Sequence, residues 1–144
     1  MRWKIMRSAA ALGLVVLQSF VNSFSGSLSP IDTSINGIEL GDSSKKVLNE
    51  FGAPETIWIA KDYLEAAAQN HDMHFIYPGV AFYFEDGVLE WFELFSDGYS
   101  IESGLEVGST YSDEDFFRIE GSDCGVQVYI SDEVVERIKV FCFY

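Results

Sequence analysis

At 144 residues the chain is long enough for one compact domain, or for two very small ones that share a core. Hydrophobic residues make up 48% and aromatics 15%, a composition that excludes a disordered acidic tail. Nine Lys and Arg stand against 23 Asp and Glu, giving a net charge of −14 that repels nucleic acid and anionic lipid and favours solubility or a basic partner.

Residues 1–25 have the order of a signal peptide. Arg2, Lys4 and Arg7 form a basic start, Ala9 to Val21 is uncharged, and small residues follow at signal-peptidase spacing, either Ser23 and Ser25 or Val21 and Ser23. The apolar stretch falls short of the ~20 residues a spanning helix needs, so no stable membrane anchor is expected after cleavage; an uncleaved anchor is the competing reading. No cysteine follows the stretch, which removes a bacterial lipoprotein anchor. Without those three basic residues, six Lys and Arg face 23 acidic residues, a charge of −17. Residues 26–36 are expected to be a flexible linker. The expected location is secreted or periplasmic.

The rest of the chain contains one pattern twice. Gly37-Ile38-Glu39-Leu40-Gly41-Asp42-Ser43 returns as Gly104-Leu105-Glu106-Val107-Gly108-Ser109-Thr110, with three identities. Gly79 to Phe95 aligns without a gap to Gly125 to Phe141, with seven identities in seventeen positions. The offsets are 67 and 46, so the second copy lacks 21 residues in its middle. The first unit is expected over 37–99, with an insertion near 61–72, and the second over 100–144.

In the first unit Asp42 or Ser43 can cap a helix, Val47, Leu48 and Phe51 share one helical face, and Gly52 with Pro54 closes it. Thr56 to Ala60 reads as a short strand. Asp62 to Asn70, with three consecutive alanines, suits an extra helical turn or two. In the second unit Ser112 before Asp113, Glu114 and Asp115 suits a helix N-terminus, with Phe116, Phe117 and Ile119 as its apolar face. A calcium loop is the competing reading of that acidic trio, without the glycine spacing such loops use.

The two hairpins constrain each other. Val126, Val128 and Ile130 must share a face with Ile138 and Val140, leaving Arg137 and Lys139 outside, and only an odd-length loop does this. The same reading makes Glu85-Asp86-Gly87 a three-residue loop. Val80, Phe82, Phe84, Val88, Phe92 and Leu94 then face the helices, and Tyr83, Leu89, Trp91 and Phe95 point away. Glu90 and Glu136 land on the core face, which the alternation does not explain.

The fold class expected is therefore α+β: two tandem helix-plus-hairpin units sharing one continuous antiparallel sheet, with helices on one face. A glycine-capped helix ending in Gly52-x-Pro54, followed by antiparallel strands, resembles the BamE/SmpA-type envelope proteins. Two such units in tandem resemble the β-lactamase-inhibitor-protein type. The resemblance rests on Gly41, Val47, Leu48, Gly52 and Pro54 and the doubled hairpins, and it implies binding to other proteins rather than catalysis.

Cys124 and Cys142 bracket the second hairpin, and an oxidising compartment favours a disulfide between them, although the derived register makes them diagonal neighbours. Two buried thiols are the alternative. His71 and His74 are too few for a zinc site, and no nucleophile has a supporting histidine, so neither metal, cofactor nor catalysis is expected. The candidate protein-binding surface is Tyr83, Leu89, Trp91 and Phe95 with Glu85 and Glu93 as an acidic rim, free or covered by the insertion around Tyr63 to Met73. The functional expectation is an exported, non-catalytic protein-binding module. Its alternative is a secreted or periplasmic inhibitor or immunity protein against a basic enzyme or toxin.

Intact-mass measurement of the exported protein is expected to give a chain beginning close to Gly26. A species that keeps Met1 and fractionates with membranes identifies the leader as an anchor instead.

Overall fold

In the computed structural model residues 22–26, 28–60, 72–111, 116–118 and 122–143 are described. A short ribbon of β1 (Ser34–Ile35) and β2 (Ile38–Glu39) precedes the helix α1 (Ser44–Phe51). Seven strands follow: β3 (Thr56–Ala60), β4 (Asp72–Tyr77), β5 (Val80–Glu85), β6 (Val88–Leu94), β7 (Phe116–Arg118), β8 (Cys124–Ser131) and β9 (Val134–Cys142). They form one antiparallel sheet in the order β3-β4-β5-β6-β9-β8-β7.

This corrects the α+β expectation of two helix-plus-hairpin units. The fold is mostly β, and α1 is the one α-helix among the described residues. It forms as the sequence suggests: the Ser43 side chain accepts from Lys46 N–H, and Gly52 at φ 76° turns its N–H back to Leu48 O. Val47 is fully buried and Phe51 packs against Tyr77, Phe82 and Tyr99, but Leu48 is 39% exposed. The second expected helix does not form over Phe116–Arg118, which instead pair as β7 with Gly125 to Gln127 of β8. Two adjacent aromatics favour a strand that completes the sheet beside β8, and this outweighs the acidic capping pattern before them. Asp62 to Asn70 and Ser112 to Asp115 lie outside the described residues.

The hairpin turns hold two residues, not three. Glu85 pairs with Val88 around Asp86-Gly87, and Ser131 pairs with Val134 around Asp132-Glu133. All four turn residues have positive φ, the geometry that matches the twist of the flanking strands. Further along, Tyr83 opposes Trp91 while Phe84 opposes Leu89, so Glu90 is an extra, bulged residue; Glu136 is its counterpart between Val135 and Arg137. A two-residue turn plus one bulge gives the parity of an odd loop, but shifts every pair beyond the bulge by two positions. Val80, Phe82, Phe84, Phe92 and Leu94 therefore do face the core, as do Val126, Val128, Ile138 and Val140. Between turn and bulge the sides exchange: Leu89 is 1% exposed and Val88 is 40% exposed, the reverse of the sequence expectation. The bulge also brings Cys124 directly opposite Cys142, with Cα atoms 3.8 Å apart, and the two form a disulfide.

The inner face of the sheet is covered by residues on both sides of the first hairpin. Leu28, Ile35, Ile38 and Val47 from the N-terminal side and Ile101, Leu105 and Tyr111 from the second loop segment are all buried against it. Leu28, Asp32 and Ile35 belong to this layer, so residues 28–36 are packed structure and not a flexible linker. Ahead of them, Ser23 makes a parallel bridge with Thr110, and the Phe24 ring packs edge-on against Tyr111.

The two short sequence matches hold their hairpins in the same way. Gly41 N–H donates to Leu89 O and Leu89 N–H to Asp42 O; Gly108 N–H donates to Val135 O and Val135 N–H to Ser109 O. Ser43 bridges Val88, and Thr110 bridges Val134. Gly41 and Gly108 sit at φ 89° and 90°, where a side chain is strained, which accounts for glycine at both places.

Asp32, fully buried, ties the covering layer together. Its carboxyl accepts from Ser29 N–H at 2.7 Å on one oxygen and from Ser103 N–H at 2.7 Å on the other. Asp32→Ala leaves both donors without that acceptor in a dry site. Urea unfolding is expected to show a loss of about 3 kcal/mol, whereas substitution of exposed Asp86 in the turn changes stability far less.

Candidate functional site

The outer face of the sheet carries a row of rings set by register. Trp58 of β3 opposes His74 of β4, His74 opposes Tyr83 of β5, Tyr83 opposes Trp91 of β6, and Trp91 opposes Phe141 of β9. The line continues through Gly125 of β8, opposite Phe141, to Arg118 of β7. The rings touch along the row: Trp58 and His74 meet edge to face at 5.0 Å between centroids, His74 and Tyr83 at 4.7 Å, and Tyr83 stacks on Trp91 at 5.2 Å with planes 16° apart. Each such cross-strand pair adds up to ~1 kcal/mol to the sheet. Beyond Trp91, Phe143 meets Phe141 edge to face at 4.8 Å.

One cation lies on this row and a second on a ring outside it. Lys139 Nζ stands 4.3 Å from the Trp91 centroid, and the Arg137 guanidinium is 3.9 Å from the Tyr129 centroid. Arg137 also reaches Glu93 at 3.4 Å. Around Tyr83 the surroundings are acidic. Partial burial, a hydrogen bond to Asp72 and the charges of Asp72, Glu85 and Glu90 push its phenol up to about 12, so it stays protonated and donates to the Asp72 carboxylate. Glu90, as the bulged residue, is released from the alternation that assigned it to the core face, and it is half-buried.

Of the residues singled out from sequence, Tyr83 and Trp91 come together at the middle of the row. Glu93 is beside them but is engaged by Arg137, and Glu85 is exposed at the end of β5. Phe95 is 42% exposed just past the end of β6. Leu89 is withdrawn from the site, because the bulge turns it into the core. Cys124 and Cys142 are paired far along β8 and β9 from the turn.

Sequence reasoning missed Trp58, His74, Phe141 and Lys139 as members of this surface. Sequence alone assigns no strand to Asp72 to Tyr77, and alternation there is the usable signal: Met73, Phe75 and Tyr77 on one side, Asp72, His74 and Ile76 on the other. His71 lies outside the described residues, and the His74 ring packs against Trp58, Tyr83 and Trp91. Among the described residues no three His, Cys, Asp or Glu side chains converge as a metal site.

No family model matches this chain, and no curated protein or solved structure matches it either. The resemblance to BamE/SmpA-type and β-lactamase-inhibitor-type proteins gains no support from these comparisons, and the mostly β architecture removes the tandem helix units on which it was built.

Packing among the rings holds His74 below its ordinary value of 6.5, with Asp72 opposing the shift. The unfolded chain therefore takes up this proton first. The contribution of His74 to stability is complete above 6.5 and is lost as pH falls through 6.5 toward the depressed folded value. Denaturant midpoints measured across that window are expected to fall more steeply for the wild type than for His74→Phe, which keeps a ring but carries no titrating nitrogen.

Proposed function

We propose that this chain is an exported, non-catalytic protein-binding module whose outer sheet face receives a basic partner. The carrying observation is the ring row centred on Tyr83 and Trp91, which stays half-exposed although it spans five neighbouring strands. Aromatic residues on a rigid sheet supply large contact area at little entropic cost, and they dominate the energy of protein interfaces. The choice of a basic partner rests on charge: Asp72, Glu85 and Glu90 surround the row's centre, and the chain as a whole carries −14.

Export rests on the leader pattern and on the Cys124–Cys142 disulfide, a pairing that oxidising compartments sustain. No helix among the described residues is long and apolar enough to cross a membrane. Inhibition of, or immunity to, a basic enzyme or toxin is the narrower form of the same reading.

The test uses a partner captured by the wild-type protein in the exported fraction and then purified. Trp91→Ala is expected to weaken its binding by at least ~2 kcal/mol. Thermal stability should fall only by the lost ring contacts, about 1 kcal/mol. Unaltered affinity combined with a large stability loss overturns the proposal and makes Trp91 a structural residue.

A further inference from the structure

Among the described residues the sheet ends in two strands of opposite character. β7 is three residues long and carries Arg118, which is paired with Asp123 at 2.9 Å. β3 is longer, Thr-Ile-Trp-Ile-Ala, without a charge or a proline in its five residues. Ile57, Trp58 and Ile59 are 52%, 54% and 46% exposed. Sheet proteins ordinarily protect an edge with short strands, charges, prolines or bulges, because open backbone N–H and C=O groups pair with any extended chain. β7 has two of those protections within its length and β3 has none.

From this contrast we infer that β3 is a docking edge, and that its occupant is an extended cationic segment of the partner protein, added to the sheet as a further strand. The inference rests on the protein-binding reading above and identifies the form in which the partner is recognised. Strand addition draws affinity from backbone hydrogen bonds and selectivity from alternate side chains. One side of such a segment meets Ile57 and Ile59, and the other lies beside Trp58, which ends the ring row, so an apolar residue there continues the row.

Charge selects the segment. Glu55 and the two outermost strands, β3 and β4, hold the carboxylates of Glu55 and Asp72 and no lysine or arginine, and burial keeps His74 toward its neutral form. Among the described residues of this edge, lysine or arginine in the added segment therefore meets carboxylates only. A second copy of this chain, at −14, is repelled where a basic segment is drawn in.

The probe is a synthetic peptide of alternating lysine and valine, titrated calorimetrically into the whole protein and followed by amide NMR shifts. Two controls accompany it: the glutamate–valine analogue, and the lysine–valine peptide N-methylated at alternate backbone nitrogens. The lysine–valine peptide is expected to bind with shifts centred on Thr56–Ala60. N-methylation is expected to weaken it at least about tenfold, since charge and side chains are kept while backbone donors are lost. Ile59→Lys, at an exposed position, is expected to weaken it by a similar factor.

Equal binding of the methylated peptide, no binding of the lysine–valine peptide, or shifts confined to Tyr83, Trp91 and Phe141 overturns the edge proposal. So does self-association of the wild type that Ile59→Lys abolishes, because the edge then pairs copies of the chain. The two readings separate with the purified native partner. Loss of its binding in Trp91→Ala but not in Ile59→Lys removes the edge and leaves the face, and the opposite pattern removes the face.

Discussion

One extra residue in each hairpin governs the rest of the molecule. Glu90 and Glu136 are the bulged positions, and each turns a two-residue loop into a hairpin whose even-numbered apolar residues face inward along most of its length. Without the bulge, residues now opposed beyond it would fall on opposite faces, so Phe82 and Phe92, or Val128 and Ile138, could not both be buried. The bulge also re-aims the residue before it. Leu89 and Val135 bury their side chains and offer both backbone groups to the glycine loops at Gly41-Asp42 and Gly108-Ser109. A carboxylate suits the bulged place because it keeps contact with water: Glu136 is exposed and Glu90 is half-buried.

The inner layer follows from the same arrangement. Each glycine loop is anchored to a bulge, and each is preceded by a turn that contributes two buried residues, Ile35 and Ile38 in the first case and Ile101 and Leu105 in the second. Asp32 then joins the first of these layers to the second through Ser103. The helix contributes Val47 and Phe51 to this layer, and among the described residues the second half covers its share of the sheet with Ile101, Leu105 and Tyr111 and no α-helix.

Much of this was legible where the chemistry is local. Ser43 and Gly52 announced both ends of α1, and the alternation in 126–130 and 138–140 determined which face is buried. Expectation failed where one local signal imitated another. Ser112 and the acids after it resemble a helix start, yet Phe116 and Phe117 are claimed by the open side of β8, a demand that no window of sequence displays. Parity was right and register was wrong, because a three-residue loop and a two-residue turn with a bulge share their alternation. Asn36-Gly37 was a usable hairpin signal hidden in a supposed linker: both residues have positive φ, and Ile35 pairs with Ile38 across them. Of the outer ring row, Tyr83 and Trp91 could be read from the hairpin alone. Their neighbours Trp58, His74 and Phe141 are contributed by strands distant in sequence, so only the assembled sheet shows the row.

The strand order has a temporal consequence. β9 follows every other strand in the chain, yet it lies between β6 and β8 and is their link. A chain emerging from its N-terminal end can form the β4-β5-β6 meander early, but the inner edge of β6 stays open until residues 134–142 arrive. Such long-range pairing is slow to form, and a half-emerged chain cannot lock into the finished sheet.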